Sequence, residues 1–457
     1  MLFRPINVRT LINERPMSRF QIRTLVLCFL VLVTDGYDTV VLGFIGPSLK
    51  SHFGASPAQL APVFGAGFFG LAVGSFLFGP LADRLRKTVL MTTVVMFGLL
   101  SLVSAWAPSL EMLIFLRFLT GLGLGGAMPN AYTLAVEYCP DRLRSTLVAP
   151  LGCGISAGGV LGGLIAPHMI SAFGWQSMLV LGGALPMLVA LVLWRGLPES
   201  VRYLVAKGRQ DEAHAIVKHI DPAVPRERAL VLDEDAAKGF PVSQLLHPNL
   251  RGGTLLLWVT AFMALLVVYF LGNWLTMLVQ EAGVPFSQAS RMTALYLTGN
   301  ALGAVLLGFL MDRMNPQYVV ACAFLCAAIS LASLGHLADV PALAVVALLI
   351  TGVGTGGAMT GTSILSAGFY PTVSRATGVA WTLGMGRVGS IVGSMVGGAM
   401  LAAHWAPTVM FLVVAVPIAV ASISVYSLAI FRRRHAERPM PPSAREGASG
   451  RESASEA

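Results

Sequence analysis

Apolar residues run along this chain in long, nearly unbroken stretches, and polar residues gather in short clusters between them. A helix that crosses a bilayer needs about 20 mostly apolar residues. Twelve stretches meet that length: near 23–46, 60–82, 88–107, 111–136, 145–171 and 175–196, then, after a polar interval, 253–280, 290–311, 317–337, 341–364, 376–402 and 405–431. The pattern predicts an all-α membrane protein of twelve transmembrane helices in two six-helix bundles, 23–196 and 253–431. A cytoplasmic segment, 1–22, leads into the first bundle, a cytoplasmic loop, 197–252, joins the two, and a tail, 432–457, is polar enough to be disordered. In the loop, "RYLVAKGRQDEAHAIVKHI" reads as one short amphipathic helix, and "DPAVPRERALVLDEDAAKGFPVSQ" as an irregular linker.

Composition agrees: 55% of residues are hydrophobic and only 12% charged. Basic residues fall on alternate sides of the spans. Arg4, Arg9, Arg15, Arg19 and Arg23 precede the first, Arg84, Arg86 and Lys87 follow the second, Arg142 and Arg144 follow the fourth, and "FRRRH" at 431–435 closes the last. Cytoplasmic loops are enriched in Lys and Arg, so both termini are expected in the cytoplasm. The net charge of +9 reflects this bias and not a nucleic-acid surface, because the basic residues form no single domain. The polar, Arg-rich first 22 residues are unlike a cleaved leader. Five cysteines, Cys28, Cys139, Cys153, Cys322 and Cys326, are odd in number and mostly within spans, as expected of small packing residues.

The two halves repeat. "LTGLGLGGAM" at 119–128 matches "ITGVGTGGAM" at 350–359, and the same offset carries Pro140 onto Pro371 and Arg144 onto Arg375. "GPLADR" at 79–84 matches "GFLMDR" at 308–313. Internal repeats of this kind build transporters whose central site lies at the repeat interface. "GLGLGG" also fits a dinucleotide fingerprint, but that motif needs a strand before it; within a membrane span the glycines are better read as helix packing. Gly79 is expected to allow a close helix approach too. No sequence feature offers enzyme chemistry or a metal site, and His168 and His404 fall near the outer interface.

Charges at mid-membrane depth are costly, face cavities and mark ion or proton paths. In "VTDGYDTVVLGF", Asp35 lies twelve residues beyond Arg23, about 18 Å along a helix and near the bilayer midplane. Asp38, three residues on, shares its helix face, so the two form a pair suited to hold a proton. Arg387 in "GMGRVGS" lies twelve residues beyond Arg375, again near the midplane, and its fork suits a carboxylate. Glycines on both sides are expected to leave it room. Aligning the seventh span to the first by their internal glycines sets Leu271 and Trp274 opposite Asp35 and Asp38, and Arg387 aligns with Ser156. One half then offers acids, the other a guanidinium. Arg117 lies nearer the outer face and either guides an anion or pairs with an acid of the first span; Glu137 lies near the inner face, as a gate residue or a structural ion pair. Tyr37, Tyr269, Asn273, Trp274 and Asn300 are mid-depth groups able to stack on or hydrogen-bond a ring. A structural salt bridge remains the alternative role for Arg387 and for either Asp.

"GPLADRLRK", "DRLRST", "PESVRYLVAKGRQDEA" and "GFLMDR" resemble the loop motifs of the major facilitator superfamily, over residues 20–431. Within it, "DGYDTVVLGFIGPSL" with "RFLTGLGLGGAMPNAYTLAVEY" resembles the aromatic acid:H+ symporter family. The resemblance implies import of a small aromatic carboxylate of the hydroxybenzoate or benzoate type across a bacterial inner membrane, with protons as the coupling ion and no cofactor. Asp83 and Arg84, with Arg144, Asp312, Arg313 and Arg375, fall in the loop motifs that gate such proteins. The chain departs from the motif where Leu85 leads straight into Arg86, one residue short, and where Gln317 replaces a basic residue. A porter of a non-aromatic organic acid, quinate-like polyol or sugar is the second reading, since sugar porters share "PESVRYL"; an exporter and a transport-dead sensor are further ones.

Overall fold

The computed structural model describes residues 5–82, 85–143, 147, 150–225, 228–232, 242–337, 340–371 and 373–436. Twelve of its helices are long and apolar enough to cross a bilayer. In chain order they are α1 (Arg19–Phe53), α2 (Pro57–Ala82), α3 (Arg86–Ser104), α4 (Leu110–Tyr138), α5 (Leu151–Phe173) and α6 (Gln176–Gly196). The second half holds α7 (Arg251–Glu281), α8 (Phe286–Arg313), α9 (Pro316–Leu334), α10 (Pro341–Phe369), α11 (Arg375–Ala402) and α12 (Pro407–Ala436). Twelve crossings bring both described ends to one side, the terminal face; the other is the distal face.

Helix ends follow local chemistry more than hydrophobicity. At the start of α1, Ser18 and Gln21 cap each other's backbone, and at its end Gly54, at φ 60, turns the chain left-handed. Both caps lie outside the apolar run, so α1 is longer than the 23–46 expected. α5 begins later than expected, at Leu151, after Pro150.

The loop and the leading segment also depart from expectation. Gly208, at φ 72, breaks the expected single helix into Val201–Ala206 and Gln210–Val217. In the expected linker, Leu230–Val231 pairs in parallel with Ile6–Asn7, and a helix, Val8–Glu14, follows. Val8, Leu11 and Ile12 bury against Val201, Leu204 and Val217 beneath the first half. Burial of these side chains, not membrane hydrophobicity, orders this polar stretch.

Each half packs in the same way. α2 lies on α4, α1 on α5 and α3 on α6 in the first; α8 lies on α10, α7 on α11 and α9 on α12 in the second. Across the interface α2 meets α11, α5 meets α8 and α1 meets α7, the pattern of a pseudo-twofold axis. Gly158 of α5 lies against the Val33 carbonyl of α1, and Gly389 of α11 against the Phe262 carbonyl of α7. Val33 therefore corresponds to Phe262, and the same register sets Gly43 on Gly272, which meet at the axis. Asp35 then corresponds to Ala264 and Asp38 to Val267, not to Leu271 and Trp274. The earlier alignment matched the wrong glycine of α1 to Gly272. Its consequence stands, because neither true counterpart is an acid.

The glycines of "GLGLGG" do pack helices: Gly121 and Gly125 abut the α2 backbone, while Gly123 and Gly126 abut Phe97 and Phe78. Gly79 does not, since a Cβ there would meet nothing within 4 Å. Gly386 and Gly389 beside Arg387 are likewise spent on α7, leaving Gly384 as the open one. Cys322 and Cys326 are exposed on α9, so they are surface residues and not packing ones.

Candidate functional site

The acids of α1 are both buried, at 3% and 4% exposure, but have different surroundings. Asp38 accepts from Ser101 Oγ of α3 at 2.5 Å and faces Arg117 of α4, whose Nη1 lies 3.4 Å from each carboxylate oxygen. Arg117 Nη2 donates to Ser104 Oγ at 2.7 Å. Asp38 and Arg117 thus form a buried ion pair with its own hydroxyl partners, which such a pair requires. Asp35 accepts from Thr39 Oγ1 at 3.2 Å, and its Oδ2 has no partner among the described residues.

Across the interface, Arg387 is half-buried and lies near Asp35 and Tyr269. No carboxylate lies within ion-pair distance of it among the described residues. The Tyr269 ring rests on Phe68 of α2, with centroids 4.5 Å apart. Between α1, α2 and α4 a narrow cleft has apolar walls from Leu42, Phe64, Phe68, Leu71 and Leu124, and Asp38 and Arg117 also line it. Apolar lining with few convergent polar groups is the usual make-up of a small-molecule site.

Other expected site residues are engaged elsewhere. Tyr37 donates through its hydroxyl to the Met178 carbonyl of α6 at 3.0 Å, inside the first half. Asn273 donates to the Tyr269 carbonyl and to Ser394 Oγ, and Trp274 Nε1 to the Ser394 carbonyl at 2.8 Å, so both clamp α7 to α11. Asn300 donates to the Tyr296 carbonyl and accepts from Thr355 Oγ1, tying α8 to α10.

On the terminal face, Glu137 of α4 pairs with Arg86 of α3 at 2.7 Å. Asp312 and Arg375 are exposed, and Arg313 lies over the Phe309 ring at 4.0 Å. Asp83, Arg84 and Arg144 lie outside the described residues. His168 and His404 are exposed towards the distal face.

Sequence reasoning missed the hydroxyls of Thr39, Ser101 and Ser104, which are ordinary residues until the fold aims them at charges. It also missed the distal seal between the halves. There Lys50 of α1 pairs with Glu281 of α7 at 2.8 Å, the Phe64 ring meets Trp274 at 4.7 Å, and Ser290 Oγ donates to the Gly163 carbonyl at 2.7 Å. Charges at the distal ends of two spans that both line the interface were the available signal.

A two-bundle helical membrane protein with buried charge at the bundle interface belongs to the secondary-transporter class. The chain matches the Major Facilitator Superfamily model over residues 27–290 and 257–455. It is 42% identical to the 4-hydroxybenzoate transporter of Pseudomonas putida over 426 residues, 92% of this chain and 95% of that protein. It is 41% identical to a gallate transporter of Pseudomonas putida over 424 residues, covering 92% and 94% of the two chains. The inward-open xylose transporter XylE from E. coli shares the fold, with a TM-score of 0.73 at 17% identity over 89% of this chain and 96% of that one. The chain belongs to the major facilitator superfamily, in the branch that holds these aromatic-acid permeases.

Proposed function

We propose that this protein imports a small aromatic carboxylate together with protons across a bacterial inner membrane, by alternating access, with its termini in the cytoplasm. The observation that carries the reading is the arrangement of charge at the half interface: no carboxylate lies within ion-pair distance of Arg387 among the described residues, although Asp35 is near enough to act on it, and Asp35 has an oxygen with no partner. Arg387 is a ready fork for the substrate carboxylate, and the apolar cleft beside Phe68 suits a ring. Relatives that transport 4-hydroxybenzoate, gallate and benzoate support the substrate class. The basic bias of the terminal face supports its placement in the cytoplasm.

The geometry also favours an order for the proton. Asp35 gains a proton on Oδ2 without giving up an existing bond, whereas Asp38 would have to loosen Arg117 and Ser101. Asp35 therefore loads first, and Asp38 stays engaged by Arg117 and Ser101. The test is accumulation of radiolabelled 4-hydroxybenzoate in proteoliposomes under an imposed pH gradient. Uptake that rises when the outside is acidified supports the reading, and uptake indifferent to the gradient overturns the coupling.

A further inference from the structure

The two acids of α1 are held unequally. Asp38 is fixed by Ser101 and Arg117, from two other helices. Asp35 is held, among the described residues, only by the Thr39 hydroxyl one turn on in its own helix, and its Oδ2 has no partner. That single bond is unusual. A threonine hydroxyl within a helix commonly donates to the carbonyl one turn back, as Thr120 does to Leu116 at 2.8 Å, Thr260 to Leu256 at 2.7 Å and Thr298 to Ala294 at 2.9 Å. Thr39 gives its one proton to the Asp35 side chain instead. The other ionisable groups near Asp35 are Asp38 of its own helix, Tyr132 of α4, and Tyr269 and Arg387 of the second half. Arg387 is the cation of this set, near Asp35 yet beyond ion-pair distance. A buried carboxylate and a guanidinium attract strongly, most of all as a bidentate pair. Thr39 is the side chain that keeps this carboxylate on its own helix.

We infer that Thr39 is a positioning residue: it tethers Asp35 to α1 and so keeps Arg387 open for the ligand carboxylate. This rests on the aromatic-carboxylate reading above and adds the residue that keeps the anion site clear. Without the hydroxyl, Asp35 has no partner on its own helix, and turning across the interface to Arg387 satisfies both groups. That ion pair occupies the fork the ligand needs. The competent fraction of the protein then falls, and apparent affinity falls by the same factor. The loss has a signature, because it depends on the charge at residue 35. With Asp35→Asn in place there is no carboxylate to compete, so removing the Thr39 hydroxyl costs the ligand nothing. Serine keeps the hydroxyl and therefore the tether, whereas valine keeps the shape and loses it.

The experiment is equilibrium binding of radiolabelled 4-hydroxybenzoate to the purified full chain, with no gradient, in an alkaline buffer that favours charged carboxylates. Thr39→Val is expected to bind roughly tenfold more weakly than the wild type, within what a hydrogen bond to a charged group is worth. Thr39→Ser should stay within a few-fold of the wild type. The double variant, Thr39→Val with Asp35→Asn, should match Asp35→Asn alone to within about twofold, a coupling that only interacting residues show. Undiminished affinity in Thr39→Val overturns the tether and leaves the aromatic-carboxylate reading in place. A loss that persists in the double variant does the same, since it shows that valine acts through packing and not through the freed acid. If the wild type does not bind the ligand, the substrate reading fails and this inference falls with it. Should Thr39→Val not fold, Thr39→Ala takes its place with the same expectations.

Discussion

The two halves share a scaffold and differ in charge. In both, glycines of the fifth helix bury against carbonyls of the first, at Gly158 on Val33 and Gly389 on Phe262. At the depth of the site the first half holds Asp35, Asp38 and Arg117, whereas the matching positions of the second are Ala264, Val267 and Leu348. The second half has Arg387 where the first has Ser156. Symmetric backbone packing gives two rigid bodies able to rock about one axis. On the proposed reading, asymmetric charge gives the bodies different tasks, proton handling in one and anion binding in the other.

Removing the guanidinium should have the largest effect on binding. Arg387→Ala leaves the ligand carboxylate in a half-buried site without a partner and is expected to abolish measurable binding. Arg387→Lys keeps the charge but loses the fork, and should weaken affinity roughly ten- to a hundredfold. Binding on purified, monodisperse variants is the measurement. Unaltered affinity in Arg387→Ala would make this residue structural and erase the proposed division of labour.

On the other side, Asp35→Asn should uncouple transport while still binding substrate. In proteoliposomes its uptake is expected to stop at equilibration, with the wild type accumulating above it under the same pH gradient. Undiminished accumulation in both Asp35→Asn and Asp38→Asn removes the first half from coupling.

A third comparison lies at the terminal face. Glu137 and Arg86 form a largely buried pair, with side-chain exposures of 4% and 18%; Gly123 on the Thr93 carbonyl and Gly354 on the Ala323 carbonyl set the register, which places Gly368 and Pro316 at the matching positions, with Asn315 just before. Asn315 only caps α9, accepting from the Gln317 backbone. Glu137→Gln is therefore expected to destabilise by roughly 1–3 kcal/mol, because a buried charged group loses its ionised partner. Asn315→Ala should cost about 1 kcal/mol as a lost cap. Thermal unfolding in detergent orders the two, and an equal effect would mean that the pair adds nothing beyond local helix capping.

The sequence made the twelve spans, the repeat and the mid-depth charges legible because each is a matter of hydrophobic length or of a residue rare in a bilayer. Asp35, Asp38 and Arg387 stood out for their cost. Partner choice was only partly legible: pairing of Arg117 with an acid of the first span was one of two readings, and the structure has it. That the acid would be Asp38, with none left at ion-pair distance from Arg387 among the described residues, depends on how α4 and α11 sit against α1. The register of α7 on α1 escaped because two glycines of α1, Gly36 and Gly43, were possible matches and only packing distinguishes them. Tyr37, Asn273 and Trp274 had the right depth, but helix rotation turns them to other helices.

The smallest effect concerns an ion pair that bridges the halves. Lys50 and Glu281 close the distal ends of α1 and α7 at 2.8 Å, with side chains 41% and 45% exposed. Exposed pairs are worth about 0.2–1 kcal/mol and are screened by salt. Beneath them the seal also contains the contact of Phe64 with Trp274 and the bond from Ser290 to Gly163, so the pair is one contribution among several. Lys50→Ala or Glu281→Ala should therefore shift the balance towards the distally open state by no more than about fivefold. The double variant should shift it no further than either single one if the effect comes from the pair. Distances between spin labels at the distal ends of the two halves report the populations. The shift between wild type and variants should shrink as salt is raised. A shift that persists at high salt, or adds in the double variant, would show that each residue acts through its own packing, and the distal seal would then be held by its rings and helices alone.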